Sequence, residues 1–318
     1  MTATLDTCIT PLNNLIEDRL VNNQFKARLT GPPCAPFIAV LGGISAGRSI
    51  ADSFDGLPSW WDGIAGPYKA VDTTCFQILS FDYIESTNKP PANDQLWPHI
   101  DTADQAQCLA DAMKAFNIDK LENIIGASYG GMVALKFAEL FPEKVENLTI
   151  LCAAHKPNPL AKAWRIVQRH ILEFALKHND PEGGIALARE LAMTTYRSAD
   201  EFNTRFGEGA EPSLEAYLKA RGEAYKTTTS LRRYGALSQS IDCHSVDPEK
   251  ISTPTSLISF NSDLITPPAD IKELHEKLPS STLTTIETVF GHDGFLKEIQ
   301  KLSDVLSTIL LEKLELKL

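Results

Sequence analysis

Residues 121–131 read Leu-Glu-Asn-Ile-Ile-Gly-Ala-Ser-Tyr-Gly-Gly, an apolar run that leads directly into a Gly-x-Ser-x-Gly motif. The apolar run predicts a buried strand, and residues 132–141, which stop before Pro142, predict a helix. A serine at such a strand-to-helix turn has a strained backbone, and its hydroxyl stands above the sheet. The motif therefore indicates that Ser128 is a nucleophile. The alternative is a glycine-rich turn whose serine has no chemical role.

Composition limits the kinds of partner that the chain can have. The 318 residues are 43% hydrophobic and 22% charged, which is typical of globular proteins. A net charge of −11 argues against nucleic acid and anionic membrane surfaces as partners. Residues 1–19 lack the apolar core of a signal peptide, and no apolar run approaches the roughly 18 residues of a membrane-spanning helix. We expect a cytoplasmic protein.

The cysteines support the same expectation, because no two of them form a CxxC pair and none lies close to a histidine that would complete a zinc motif. This scatter predicts reduced thiols, with neither a disulfide framework nor a metal site. The six are Cys8, Cys34, Cys75, Cys108, Cys152 and Cys243.

Strand-length apolar runs alternate with helical segments along much of the chain. This alternation predicts an α/β fold with a mostly parallel central sheet and helices on both faces. The predicted strands are residues 37–41, 76–81, 121–125, 148–152, 255–260 and 282–289, and further helices are predicted at 101–117 and 299–318.

The alternation stops in residues 155–235, which lack strand-like runs and are rich in helix formers. The segment predicts a helical cap inserted between two parts of the core, residues 1–154 and 236–318. The cap carries a slight excess of basic residues over an acidic body, which would suit an anionic ligand such as an acyl-CoA. The alternative is that lysines and arginines simply solvate the helix surfaces.

A serine hydroxyl needs a base to accept its proton, and the base needs an acid to orient it. After this kind of elbow the chain order is serine, acid, histidine. His292 lies in a loop just past the last predicted strand, and Asp263 follows the strand before it. We therefore predict Asp263 and His292 as partners of Ser128. His155 is a second candidate base, and Asp293 a less suitable acid.

An oxyanion hole needs two backbone N–H donors. One is expected from Tyr129, directly after the nucleophile, and the other from Gly43 or Ile44, in the glycine-containing loop after the first predicted strand. A dinucleotide-binding loop is the competing interpretation of those glycines. The Gly-x-Gly-x-x-Gly spacing is not met there.

Together these residues resemble the homoserine O-acetyltransferase family, acyl-CoA-dependent transferases of the α/β-hydrolase superfamily. The resemblance places the family's nucleophile, acid and base on Ser128, Asp263 and His292. Within the family, residues 41–46, 154–157, 163–165 and 237–242 resemble the branch of serine and homoserine O-succinyltransferases. Ser-x-Gly-Gly-Met at residues 128–132 and Gly-His-Asp-x-Phe-Leu at residues 291–296 are far more specific than a bare Gly-x-Ser-x-Gly. The stretches that carry the resemblance are residues 60–63 (Trp-Trp-Asp-Gly), 66–67 (Gly-Pro), 72–73 (Asp-Thr), 126–132 (Gly-Ala-Ser-Tyr-Gly-Gly-Met), 168–169 (Gln-Arg), 186–189 (Ala-Leu-Ala-Arg) and 291–296 (Gly-His-Asp-Gly-Phe-Leu).

The resemblance implies ping-pong acyl transfer from acyl-CoA to homoserine or serine, with an acetyl or succinyl donor, no bound cofactor or metal, and a homodimer formed through the cap. Typical members bind the amino-acid carboxylate with an arginine, where this chain has Thr228. Plain ester hydrolysis, a non-catalytic binding module and a scaffold are the alternatives. The candidate substrate-binding residues are Arg48, Arg232, Arg233 and Asp293.

Overall fold

The computed structural model describes residues 3–10, 24–51, 58–85, 96–207, 209 and 212–315. Within the N-terminal segment interpreted above, residues 1–2 and 11–19 lie outside the described residues. So do the last three residues of the predicted C-terminal helix.

The core of the fold is an eight-stranded sheet with the strand order β1-β2-β6-β3-β7-β8-β9-β10. β2 pairs antiparallel with β1 and with β6, and the other described strand pairs of this sheet are parallel, so the expected mostly parallel sheet is confirmed. Two short strands, β4 and β5, form a separate pair. The strands are β1 (Ala3–Ile9), β2 (Phe25–Gly31), β3 (Phe37–Leu41), β4 (Ala65–Gly66), β5 (Val71–Asp72), β6 (Gln77–Phe81), β7 (Asn123–Ala127), β8 (Leu148–Leu151), β9 (Thr255–Phe260) and β10 (Ser281–Ile286).

Helices cover both faces of this sheet, as predicted. Five of the described helices, α3 to α7, lie between β8 and β9 in the chain. The helices are α1 (Thr102–Ala115), α2 (Tyr129–Leu140), α3 (Pro159–Lys177), α4 (Pro181–Tyr196), α5 (Ala199–Arg205), α6 (Leu214–Lys226), α7 (Leu231–Asp242), α8 (Pro268–Lys277), α9 (Gly294–Lys297) and α10 (Ile299–Glu315).

Two hydrophobic clusters lie on opposite faces of the sheet. One buries Leu109 of α1 and Phe137 of α2. The other buries Leu302 and Leu306 of α10, at the helical spacing that defines one apolar face. β7 is buried along its whole length between them, so the turn at its end is held firmly in place. None of the described helices combines the length and apolar character needed to cross a bilayer.

The structure departs from the sequence-based expectations at several element ends. The strands β1 and β2 were not predicted, because charged and hydroxyl side chains in them dilute the apolar signal. The helix after the serine begins at Tyr129, three residues earlier than expected, and the last strand ends at Ile286. α7 runs across residue 235, the predicted end of the cap. The division into core and cap stays a prediction.

Candidate active site

Ser128 occupies the sharp turn between β7 and α2, with φ 54° and ψ −119°. This conformation is strained for a residue with a side chain and persists only where the surroundings enforce it. The glycines around it allow the close packing. A Cβ on Gly130 would lie 2.2 Å from the Leu41 carbonyl oxygen, and one on Gly126 would lie 2.5 Å from the carbonyl oxygen of Gly130. The turn therefore requires glycine at both positions.

The structure brings the three predicted residues Ser128, His292 and Asp263 into one hydrogen-bonded chain. The Nε2 atom of His292 lies 2.8 Å from the Ser128 hydroxyl oxygen. The Nδ1 atom of the same ring lies 2.7 Å from Asp263 Oδ2. Asp263 and His292 are both almost completely buried. This geometry lets the imidazole accept the serine proton while the carboxylate fixes its tautomer.

The Asp263 carboxylate is oriented by its own turn. Its Oδ1 atom accepts hydrogen bonds from the backbone amides of Ile265 and Thr266, which leaves Oδ2 directed at the imidazole. The preceding Ser262 links this turn to the His292 loop, because its hydroxyl accepts a bond from the Gly291 amide. The acid and the base therefore form one connected unit at the ends of β9 and β10.

Aromatic rings enclose the imidazole of His292. The ring of Tyr196, at the end of α4, stacks 6.1 Å from it, and Phe295 meets it edge-on. Trp61 donates a hydrogen bond from its indole to the Phe295 carbonyl. Gly291 has φ +61°, and a Cβ there would lie 2.8 Å from the Tyr196 carbonyl oxygen. This glycine allows the helical insertion to pack against the histidine loop.

A buried thiol also lies near these groups. Donor atoms of Cys152, Asp263 and His292 are within 4.8 Å of one another, a spacing at which three ligands could hold a metal ion. Both nitrogens of the His292 ring already have partners, however. Burial raises the pKa of the Cys152 thiol, which disfavours the thiolate that a metal would bind. The donor set fits a proton relay better than a metal centre.

The three residues predicted to supply oxyanion donors, Tyr129, Gly43 and Ile44, all lie near Ser128. Tyr129 is the first residue of α2, and its N–H donates no hydrogen bond to the part of the chain that the structure describes. A Cβ on Gly43 would lie 3.9 Å from that of Ser128, so this loop passes directly beside the serine. Ile44 lines both cavities at the serine. The assignment of these amides as an oxyanion hole stays a prediction.

Two cavities meet at Ser128 and His292. The inner cavity, of about 40 Å³, extends beneath α3 and is lined by Trp164 and Arg165. The mouth cavity, of about 160 Å³, is lined by Trp60 and Asp293. A larger outer groove of about 590 Å³ lies beyond it, and Arg189 lines both the groove and the mouth. A long ligand in the groove can thus extend one end to the serine.

Comparison with known proteins agrees with this geometry. A model of the alpha/beta hydrolase fold matches residues 50–298. The chain is 36% identical over 299 residues to a homoserine O-succinyltransferase of Xanthomonas campestris, across 90% of this chain and 79% of that protein. It is 29% identical over 283 residues to a homoserine O-acetyltransferase of Thermus thermophilus, across 80% of this chain and 73% of that protein. This chain belongs to the homoserine O-acetyltransferase family.

Solved structures share the fold. An esterase superposes with a TM-score of 0.81 at 18% identity, over 98% of this chain and 100% of that one. A homoserine O-acetyltransferase from Bacillus anthracis superposes with a TM-score of 0.80 at 14% identity, over 97% of each chain. The same architecture thus carries both ester hydrolysis and acyl transfer in proteins of known structure, so the site must distinguish between them.

The structure places three candidate residues away from the two cavities at Ser128. Arg48 pairs with Asp82 at 2.6 Å, so its charge is already neutralised. Arg233 pairs with Glu85 at 2.7 Å and lines the outer groove, but neither of the two cavities at Ser128. Arg232 is exposed in the first turn of α7.

Two further positions raised by the sequence also lie elsewhere. Thr228 lines the outer groove and not the mouth. His155, the second candidate base, lies 3.4 Å from Glu273 instead of against the serine. Neither residue lines the mouth cavity at Ser128.

Sequence reasoning missed Arg189. Its guanidinium lies 4.4 Å from the ring centroid of Tyr225 and 5.4 Å from that of Tyr196, and it lines the mouth cavity beside Asp293. Burial raises the pKa of the Asp293 carboxyl, while the guanidinium of Arg197, 3.4 Å away, opposes that shift. The only sequence signal for Arg189 was its place in the Ala-Leu-Ala-Arg motif of residues 186–189.

Proposed function

We propose that this protein is an acyl-CoA-dependent O-acyltransferase that esterifies the side-chain hydroxyl of homoserine, a reaction of methionine biosynthesis. The observation that carries the proposal is the Ser128–His292–Asp263 chain at the meeting point of two cavities, one of which has opposite charges on its wall. Membership of the homoserine O-acetyltransferase family supports it.

The first half of the reaction acylates the enzyme. His292 takes the proton of Ser128 as the serine oxygen attacks the thioester carbonyl. The carbonyl oxygen becomes negative and is held by the amides of Tyr129 and of the Gly43–Ile44 loop. The carbon–sulfur bond then breaks, and His292 returns the proton to the departing thiolate of CoA. The products are free CoA and an ester on Ser128.

The second half transfers the acyl group to the amino acid. The acceptor hydroxyl gives its proton to His292 and attacks the ester carbonyl, and the proton then passes to Ser128 as the enzyme ester breaks. Water competes for the same ester. The ring of Tyr196, which stacks on His292, and the buried ring of Phe295, which meets it edge-on, limit its access.

The charges of Arg189 and Asp293 support an amino acid as the acceptor. An amino acid carries a carboxylate and an ammonium a few ångströms apart, and the mouth cavity is lined by one cation and one anion. The guanidinium of Arg189 binds the carboxylate bidentately, and Asp293 accepts from the ammonium. We expect Arg189→Gln to raise the KM for the amino acid while leaving acylation by the donor unchanged.

A matrix of donors and acceptors tests the proposed function. Homoserine and serine are each combined with acetyl-CoA and succinyl-CoA, and the release of free CoA thiol is followed. We expect thiol release that depends on an amino acid and is fastest with homoserine. Faster turnover with serine would assign the protein to serine acylation instead. Thiol release that amino acids leave unchanged would indicate a plain esterase.

We further propose that the protein acts in the cytoplasm as a homodimer formed through α3. Leu160, Val167 and Phe174 recur every seven residues, so they lie on one side of this helix, and their exposed fractions are 55%, 49% and 64%. A second copy of the same chain would bury this stripe symmetrically. All six cysteines are free in the structure, in keeping with a reducing compartment.

A further inference from the structure

The inner cavity adjoins a buried cluster whose charges do not balance. Arg165 and Arg169 lie one turn apart on α3, and both pair with the carboxylate of Asp242 at the end of α7. The Arg165 Nε atom lies 2.6 Å from Oδ1, and the Arg169 Nη2 atom lies 2.7 Å from Oδ2. Two guanidinium groups thus share one carboxylate, so the cluster carries one uncompensated positive charge.

One hydrogen-bond donor of this cluster is unpaired among the described residues. Arg165 is only 8% exposed. Its Nη2 atom is buried and has no hydrogen-bond partner among the described residues. A buried donor on a charged group is costly to leave unpaired, so such a group normally marks a place where an anion binds.

Arg165 lines the inner cavity together with Ser128 and His292. Among the described residues that line this cavity, no aspartate or glutamate is present, and the other cation, Lys156, pairs with Glu273 at 2.8 Å. The cavity volume of about 40 Å³ suits a short, slender group and excludes CoA itself, which needs a space as large as the outer groove of about 590 Å³.

We propose that Arg165 binds the carboxylate at the far end of a dicarboxylic acyl group attached to Ser128, so that the donor is of the succinyl-CoA class. This inference rests on the proposed acyl transfer. The acceptor is a poorer occupant of the inner cavity, because its ammonium would meet cations and no carboxylate there. Its two charges are matched instead at the mouth, by Arg189 and Asp293.

Single-turnover acylation by succinyl-CoA and by acetyl-CoA tests this assignment. We expect Arg165→Gln to slow acylation by succinyl-CoA about 10- to 100-fold, the effect of losing one charged hydrogen bond, and to leave acetyl-CoA nearly unaffected. Arg169→Gln is the matched control, since it removes a partner of the same Asp242 and does not line the cavity. It should acylate normally with both donors.

Arg165→Lys keeps a cation opposite Asp242, so it is a control for a folding defect caused by loss of that ion pair. One ammonium cannot serve both Asp242 and the ligand, so we expect the same preference for acetyl-CoA in this variant. Equal slowing with both donors, or no change with either, would overturn the proposal. A raised KM for homoserine with normal acylation would also overturn it, by showing that the carboxylate bound there is the acceptor's.

A binding measurement separates this proposal from the proposed function. Millimolar succinate should raise the melting temperature of the unmodified protein and of Arg169→Gln, and acetate should not. The rise should disappear in Arg165→Gln. If neither donor ever acylates Ser128, the acyltransferase proposal fails, while loss of the succinate effect in Arg165→Gln still supports a carboxylate site. An unchanged succinate effect in that variant would reject the site.

Discussion

Ser128 combines two properties that rarely occur together in a serine. Its backbone is held at positive φ, which projects the hydroxyl out of the turn, and an imidazole nitrogen lies 2.8 Å from that hydroxyl. The strain is sustained by the glycines beside it and by the close approach of the loop after β3. In the proposed reaction, this placement of Ser128 and His292 before the substrate binds removes the need to bring nucleophile and base together.

His292 and His155 form a natural pair for testing which histidine is the base. Both are buried and follow strands, but only His292 contacts Ser128. We expect His292→Gln to lower kcat about 10²- to 10⁴-fold, the usual contribution of a general base. His155→Gln should keep near-normal turnover. The measurement is the steady-state kcat of each variant. A comparable decrease of kcat in both would contradict the assignment of His292 as the base.

The residues of the hydrogen-bonded chain at Ser128 could be predicted because local patterns mark them. Ser128 lies in a motif with a defined turn, and Asp263 and His292 follow apolar strand-like runs. The choice among arginines could not be predicted, because it depends on which carboxylate each one meets in the folded protein. Arg48 pairs with Asp82, whereas Arg189, which lines the mouth cavity, faces the rings of Tyr196 and Tyr225. Such pairing is set by contacts between distant segments.

At the scale of elements, the strand-to-helix turn depends on how closely β3 approaches the start of α2. Gly130→Ala would place a Cβ 2.2 Å from the Leu41 carbonyl oxygen. We expect the variant to lose at least about 1–3 kcal/mol of unfolding free energy, as in overpacked cores, together with activity. Gly207→Ala is the control, since the nearest atom to its new Cβ among the described residues is the Asn203 carbonyl oxygen, at 3.5 Å. Equal denaturation midpoints for the two variants would show that glycine is not required at position 130.

His244 links α1 to the segment after β8. Its Nδ1 atom lies 2.9 Å from the Thr102 hydroxyl, and its Nε2 atom lies 3.2 Å from the Ala154 carbonyl oxygen. Burial lowers the pKa of this imidazole from 6.5 to about 3. The ring is therefore neutral in the folded protein over a range where the unfolded chain takes up a proton.

The sign of the resulting pH effect follows from that difference. The contribution of His244 to the free energy of unfolding is complete above the pKa of about 6.5 that the imidazole has in the unfolded chain. It is lost as the pH falls toward 3. The loss amounts to about 2 kcal/mol between pH 7 and pH 5. His244→Gln keeps a hydrogen-bond donor and an acceptor but does not titrate. We expect its free energy of unfolding, measured in urea, to fall less steeply with decreasing pH than that of the unmodified protein. Parallel pH profiles for the two proteins would contradict this.

Most of the elements themselves could be predicted, since the parallel strands are buried apolar runs and the helices show clear periodicity. The exceptions have a physical origin. β2 (Phe25–Gly31) carries Lys26, Arg28 and Thr30 in alternation with buried residues, and this pattern is weaker than that of the central strands. The Arg28 guanidinium is nevertheless buried, because Asp6 of the neighbouring strand β1 pairs with it at 2.5 Å. The sequence of either strand alone does not reveal that Asp6 neutralises the buried charge of Arg28.

At the scale of the whole molecule, the exposed stripe on α3 predicts how copies of the chain associate. We expect the protein to be a dimer in solution and Val167→Glu with Phe174→Glu to convert it to a monomer, since charges would then oppose each other across the interface. Leu140→Glu, on an exposed leucine at the end of α2, should leave the dimer intact. Light scattering after size-exclusion chromatography measures the masses. A monomer in the unmodified protein would exclude the proposed interface.

The most direct test of the whole account is the mass of the enzyme after exposure to an acyl-CoA in the absence of an amino acid. We predict a covalent adduct of one acyl group per chain that is located on Ser128, that disappears when homoserine is added, and that never forms in Ser128→Ala. An unmodified mass in the native protein under conditions of active turnover, or full activity in Ser128→Ala, would contradict acyl transfer through this serine.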